Sequence, residues 1–188
     1  KGTDILLEAW KEVIASRPDM RLLLVGPRFD LTQPRWVGFA ATIQELLKAP
    51  GMSDSVTFYG YRPDVLEFLQ AADGFVFPSD KEGLPNAVLE AMACALPCIL
   101  TPFFGSSTYL GVAAEHFLLS ERTPEALAHA IHTLAGWSPE QRAALGANSR
   151  QLMLATMSMD RAVGVHRELY RRLLGHSGPG LGSGSENV

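Results

Sequence analysis

Phe77-Pro78-Ser79-Asp80-Lys81-Glu82-Gly83-Leu84-Pro85-Asn86-Ala87-Val88-Leu89-Glu90-Ala91-Met92-Ala93 is the stretch whose reading decides the fold. Gly74 to Pro78 is a short apolar run that reads as a buried strand. A loop rich in glycine and proline follows, and from Asn86 to Ala95 apolar residues recur at helical spacing. The phrase is therefore strand, loop, helix. Outward from it the same alternation continues. Upstream, helical spacing from Ile5 to Ile14 precedes a strand at Leu22–Val25, a helix from Trp36 to Leu47 precedes a strand at 55–59, and a short helix spans Asp64 to Ala71. Downstream come a strand at Cys98–Leu100, a short last strand at 115–119, and helices from Pro124 onward, with Pro124 after Thr123 and Pro139 after Ser138 at first-turn positions. Strands alternating with helices predict an α/β fold, a Rossmann-like parallel sheet flanked by helices. Its ligands bind beyond the carboxyl ends of the strands, which directs attention to the residues after Val25, Tyr59, Phe77 and Leu100.

Composition narrows the classes. With 188 residues, 47% of them hydrophobic, the chain suits one compact domain, placed at 1–176, with the glycine- and serine-rich 177–188 as a flexible tail. No apolar run approaches the roughly 20 residues that cross a bilayer, which reads as a soluble chain. Lys1-Gly2-Thr3-Asp4 lacks the pattern of a secretory signal. The net charge of −4 with scattered basic residues excludes a nucleic-acid stripe. Cys94 and Cys98 read as small core hydrophobes in a reduced, cytoplasmic setting, and the histidines, His129 and His132 included, lack the partners of a metal site. No Gly-x-Gly-x-x-Gly follows any strand, which disfavours a dinucleotide-binding dehydrogenase.

The chemistry concentrates in the quoted phrase. The first amides of a helix starting near Asn86 point out of the strand-end crevice, where unpaired donors and the helix dipole attract anions, and a diphosphate suits that place. Glu82 lies in the loop and Glu90 about one turn into the helix. Two carboxylates beside a phosphate repel it, so their role is to hold sugar hydroxyls. By themselves the two glutamates leave a plain alternative open, in which solvent and the dipole alone stabilise them.

The whole phrase, Pro-Ser, then Glu-Gly-Leu-Pro-Asn, then Leu-Glu-Ala-Met-Ala, closely resembles the donor-binding signature of family 4 glycosyltransferases, which have the two-domain GT-B fold. The resemblance covers most of residues 1–172: Lys1 to Ala9 looks like the opening of the donor domain, Leu22 to Gly26 like its next strand, and Val56 to Asp64 like the strand and glycine loop beside the nucleobase. Ala71-Ala72-Asp73 leads into the signature strand as in the family, and Leu145-Gly146-Ala147-Asn148-Ser149-Arg150 looks like part of its late helix. It implies the C-terminal half of a retaining enzyme in which Glu90 holds the ribose, Glu82 hydrogen-bonds the donor sugar, and Gly83, Leu84, Pro85 and Asn86 lie along sugar and phosphate. Lys1 would neutralise the leaving diphosphate, and Gly60, Tyr61 and Arg62 would border the base through backbone groups. It further implies front-face attack at the anomeric carbon, with the growing charge stabilised by basic residues and the helix dipole, without cofactor or metal.

The chain also departs from the pattern. An arginine before the lysine matched by Lys1, and a strand at mid-sheet, are absent, which implies an N-terminal domain that carries the acceptor site for a sugar, lipid or protein and any peripheral membrane association. Alone, the domain is expected not to transfer sugar. Pro102 to Tyr109 replaces a paired-glycine turn and an acidic residue, with Ser106 and Ser107 as candidate phosphate contacts and Phe103-Phe104 as core or interface. Ala95 stands where a glycine is usual. Competing expectations are a nucleotide-sugar epimerase or phosphorylase of the same fold, and a non-catalytic relative that binds a nucleotide or partner.

Overall fold

A computed structural model describes residues 2–26, 34–83, 85–103 and 118–175. Helix α1 (Thr3–Ser16) leads to strand β1 (Leu22–Val25), α2 (Pro34–Leu46), α3 (Met52–Ser55) and β2 (Val56–Gly60). Then come α4 (Val65–Ala71), β3 (Phe75–Phe77), α5 (Asn86–Ala93) and β4 (Cys98–Leu100), and finally α6 (Pro124–Gly136), α7 (Pro139–Met157) and α8 (Met159–Leu173).

All strand pairs are parallel, β1 with β2 from Leu22 opposite Val56, and β3 with β4 from Phe75 opposite Cys98. Leu118 adds a parallel bridge to Leu100. Side chains alternate across these strands and sort the interior into two cores. Leu22, Val56 and Ile99, with Leu24, Phe58 and Val76, join α1, α2, α3 and α6 on one face. Cys98 and Leu100, with Phe75 and Phe77, join α4, α5 and α7 on the other. The β3–β4 pair is thus covered on both faces, as expected, whereas Leu22, Leu24, Val56 and Phe58 of β1 and β2 all belong to the first core.

Local chemistry explains the boundaries. Leu6, Leu7, Trp10, Val13 and Ile14 form the buried stripe of α1. Thr123 caps α6 by accepting the Ala126 amide, and Ser138 and Gln141 form a reciprocal capping box on α7. Both prolines stand in the first turn, where a missing N–H costs nothing.

Three expectations need correction, and a fourth falls largely outside the described residues. The strand expected from Ser55 begins at Val56, because Ser55 closes α3 through its amide to Gly51 O and turns its hydroxyl inward to accept Trp10 Nε1 at 3.0 Å. The helix expected to reach Ala95 stops at Ala93, and Ala95 takes a left-handed φ of 58°, the conformation a glycine would adopt without strain. Of the strand expected at 115–119, only the Leu118 bridge lies within the described residues. Finally, Leu22–Val25 is not buried throughout, since Leu23 is 41% exposed. The reason lies in the alternation of side chains: Leu22 and Leu24 point into the first core, whereas Leu23, on the other face of β1, joins neither core.

Cys98 is buried and Cys94 half-buried, and both are free thiols. Burial pushes the Cys98 thiol up to about 12. Among the described residues no helix is long and apolar enough to cross a membrane.

Candidate donor-binding site

The strand–loop–helix unit forms as read. Strand β3 ends at Phe77 and α5 starts at Asn86. Val88, Ala91 and Met92 seat α5 in the second core, while Glu90, on the opposite side, is exposed. No side chain caps α5, and its first turn closes on Pro85 O, which accepts from Val88 and Leu89. The amides of Asn86 and Ala87 remain as donors at the positive end of the helix dipole.

Between strand and helix the chain is tethered carbonyl by carbonyl. Phe77 O accepts the Thr101 amide at 3.1 Å, Pro78 O accepts Arg122 Nε at 2.9 Å, and Ser79 O accepts the Thr101 hydroxyl at 2.8 Å. Ser79 and Thr101 are buried, and Ser79 donates its own hydroxyl to Glu82 Oε1 at 2.6 Å, a short charge-assisted bond. Glu82 is half-buried. The N-terminus of α1 closes on the same spot: Gly2, at φ 79°, lies so near that a Cβ there would stand 2.1 Å from Pro78 O. Only glycine fits, for conformation and for space.

The structure therefore joins Glu82, Gly83, Pro85, Asn86 and Glu90 on one unit at the carboxyl end of β3. Gly60, Tyr61 and Arg62 stand at the carboxyl end of β2, in the other half-sheet, where Gly60 takes φ 71°. Tyr61 is 79% exposed. Arg62 forks onto Asp64 through Nε at 2.8 Å and Nη2 at 2.5 Å, and lies over the Phe68 ring. That hydrogen-bonded pair raises the Arg62 pKa and lowers the Asp64 pKa. Lys1, Leu84, Ser106 and Ser107 lie outside the described residues. Phe103 is buried, edge-on to Phe77, so it is core. Among the described residues no group of three or more His, Cys, Asp or Glu side chains could hold a metal ion.

Sequence reasoning passed over Thr101 and Arg122. Thr101 follows a strand, which is a weak signal, and Arg122 reaches Pro78 from 44 residues away with no local signature at all.

The profile of one protein family, described as "Glycosyl transferases group 1", matches residues 1–136. The chain belongs to the group 1 glycosyl transferases. A group 1 relative, the GDP-mannose-dependent monoacylated alpha-(1-6)-phosphatidylinositol monomannoside mannosyltransferase of Corynebacterium glutamicum, is 32% identical over 171 residues, covering 85% of this chain and 41% of its own length. Among solved structures, Anabaena HepE in complex with UDP superposes with a TM-score of 0.77 at 20% identity, over 93% of this chain and 45% of that one. The C-terminal domain of the group 1 protein LpcC from Francisella tularensis gives a TM-score of 0.72 at 22% identity, over 85% of this chain and 80% of that one. The GT-B glycosyltransferases thus share this fold, and the chain spans less than half the length of the mannosyltransferase and of HepE.

Proposed function

We propose that this chain is the donor-binding half of a family 4 retaining glycosyltransferase and takes a nucleoside diphosphate sugar without a metal ion. The observation that carries the reading is the Ser79–Glu82 pair, held at the strand end beside the uncapped amides of α5. In this reading the diphosphate lies at the α5 N-terminus, Glu90 holds the ribose hydroxyls, Glu82 holds a hydroxyl of the sugar, and Gly83 to Asn86 line sugar and phosphate. Gly60 to Arg62 border the base. As the anomeric C–O bond breaks, its electron pair passes to the β-phosphate. Lys1 and the α5 amides stabilise that charge as it develops. The acceptor hydroxyl adds from the same face and its proton passes to the departing phosphate. HepE, whose structure was solved with UDP and with UDP-glucose, supports the ligand class. The relatives' greater length supports a second domain that carries the acceptor site.

Thermal unfolding of the chain with UDP, GDP and ADP tests the reading. A ligand that binds only the folded state adds about 2.7 kcal/mol at 100 times its Kd, so one nucleotide should raise Tm in a concentration-dependent way. No rise with any of the three, up to millimolar concentration, contradicts it.

A further inference from the structure

We infer that Arg122 and Thr101 are positioning residues that set the Glu82 carboxylate against the donor sugar, acting through the backbone of Phe77, Pro78 and Ser79. The inference rests on the donor-site reading of Glu82 given above.

Three consecutive carbonyls at the end of β3 are each taken by a donor from a distant segment: Phe77 O by the last ladder bond of the β3–β4 pair, from the Thr101 amide, and Pro78 O and Ser79 O, beyond the ladder, by side chains. A parallel strand that has ended has no ladder to hold its next peptides, so their rotation is free unless side chains hold them. Thr101, fully buried, holds two of the three, through its amide on Phe77 O and its hydroxyl on Ser79 O. Arg122 holds the one between, from the loop before α6. With the Ser79 peptide fixed on its carbonyl side, the Ser79 hydroxyl has one short bond to make, and it makes it to Glu82 Oε1.

Gly2 also stands against one side of the guanidinium. A Cβ on Gly2 would lie 2.8 Å from Arg122 Nη2, so α1, Arg122 and Pro78 are in mutual contact. Among the described residues the Pro78 carbonyl is the group that Arg122 serves. The chain Arg122–Pro78–Ser79–Glu82 therefore links the start of α6 to the carboxylate. Glu90, one turn into α5, is on no part of it.

That separation defines the test. The chain carrying Arg122→Met, Thr101→Val or Ser79→Ala is titrated calorimetrically with UDP and UDP-glucose and with GDP and GDP-mannose, after circular dichroism confirms folding. For the pair that the unaltered chain binds, each variant should weaken the nucleotide sugar about tenfold relative to its parent diphosphate, whose Kd should change less than twofold. Arg122→Lys and Thr101→Ser, which keep a donor, should restore most of the difference. Arg122→Met alters a half-buried side chain, so it decides the matter even if Thr101→Val fails to fold, and Ser79→Ala tests the last link. Equal weakening of both ligands, no change in either, or no rescue by the conservative variants overturns the positioning role and leaves the donor site standing. If the unaltered chain binds none of the four ligands, the donor-site reading itself falls and the inference falls with it.

Discussion

Gly146→Ala in α7 should unfold this domain early, although the same substitution in other helices should stabilise it. A helical glycine costs about 1 kcal/mol relative to alanine, so replacing one in open space is favourable. Gly38 in α2 and Gly164 in α8 are such positions, with no atom within 4 Å of an added Cβ. At Gly146 the added Cβ would stand 1.8 Å from Ala95 O and 2.7 Å from Ala95 C, and both belong to the backbone, which cannot rotate away. Relief requires α7 to move off the turn after α5 by about 1.5 Å, the gap between that separation and ordinary van der Waals contact. Such a shift strains the contacts that dock α7, the Arg150 Nη1 bond to Ala93 O at 2.8 Å and the packing of Leu145, Leu152 and Met153. Overpacking of this kind costs about 1–3 kcal/mol. Adding about 0.5–1.5 kcal/mol for the strained Arg150 bond and subtracting the helix gain brings the net loss to about 0.5–3.5 kcal/mol, or a Tm fall of about 1–14 °C for a domain of this size. Urea and thermal unfolding followed by circular dichroism should show Gly146→Ala destabilised and Gly38→Ala unchanged or slightly stabilised. Equal and favourable effects at both positions would refute the argument that α7 rests on Ala95 through bare glycine.

Ala95→Gly should stabilise by about 0.5–1 kcal/mol in the same assay, since left-handed backbone costs alanine about 1–2 kcal/mol and the glycine's extra unfolded-state entropy offsets part of the gain. Ser55→Ala should cost about 1–3 kcal/mol, because Trp10 Nε1 is buried with that hydroxyl as its acceptor; a neutral result would show that the indole finds another partner. The Cys98 thiol, raised to about 12, lends stability that is complete below the unfolded thiol's pKa and lost as pH rises. Between about pH 9 and 12 its contribution should therefore fall by up to about 1.4 kcal/mol per pH unit, and Cys98→Ala should flatten that part of the urea-unfolding profile.

What could be read from the sequence was local. Phe77 to Ala93 carries its turn residues, its apolar spacing and its helix start within one phrase, and Pro139 after Ser138 announces a helix start by itself. What could not be read depends on distant partners. Ser55 looks like strand beside Val56, Thr57 and Phe58, yet its hydroxyl answers an indole 45 residues earlier, and that contact moves the boundary. The apolar run Leu22–Val25 looks buried, but burial of alternate residues requires cover on both faces of the strand, which an unbroken apolar run cannot report. Within the candidate site the glutamates stood out by residue type and position, whereas Arg122 contributes one bond to one carbonyl, a role open to any arginine.

The central claim is that Glu90 and the α5 N-terminus bind a nucleoside diphosphate. Two-dimensional NMR of the labelled chain, titrated with UDP, GDP and ADP and repeated on Glu90→Ala, measures it most directly. The account predicts that one nucleotide shifts amides around residues 60–62 and 82–90 and that the Glu90→Ala chain, equally folded, loses those shifts. Shifts centred elsewhere, or undiminished in Glu90→Ala, would contradict it.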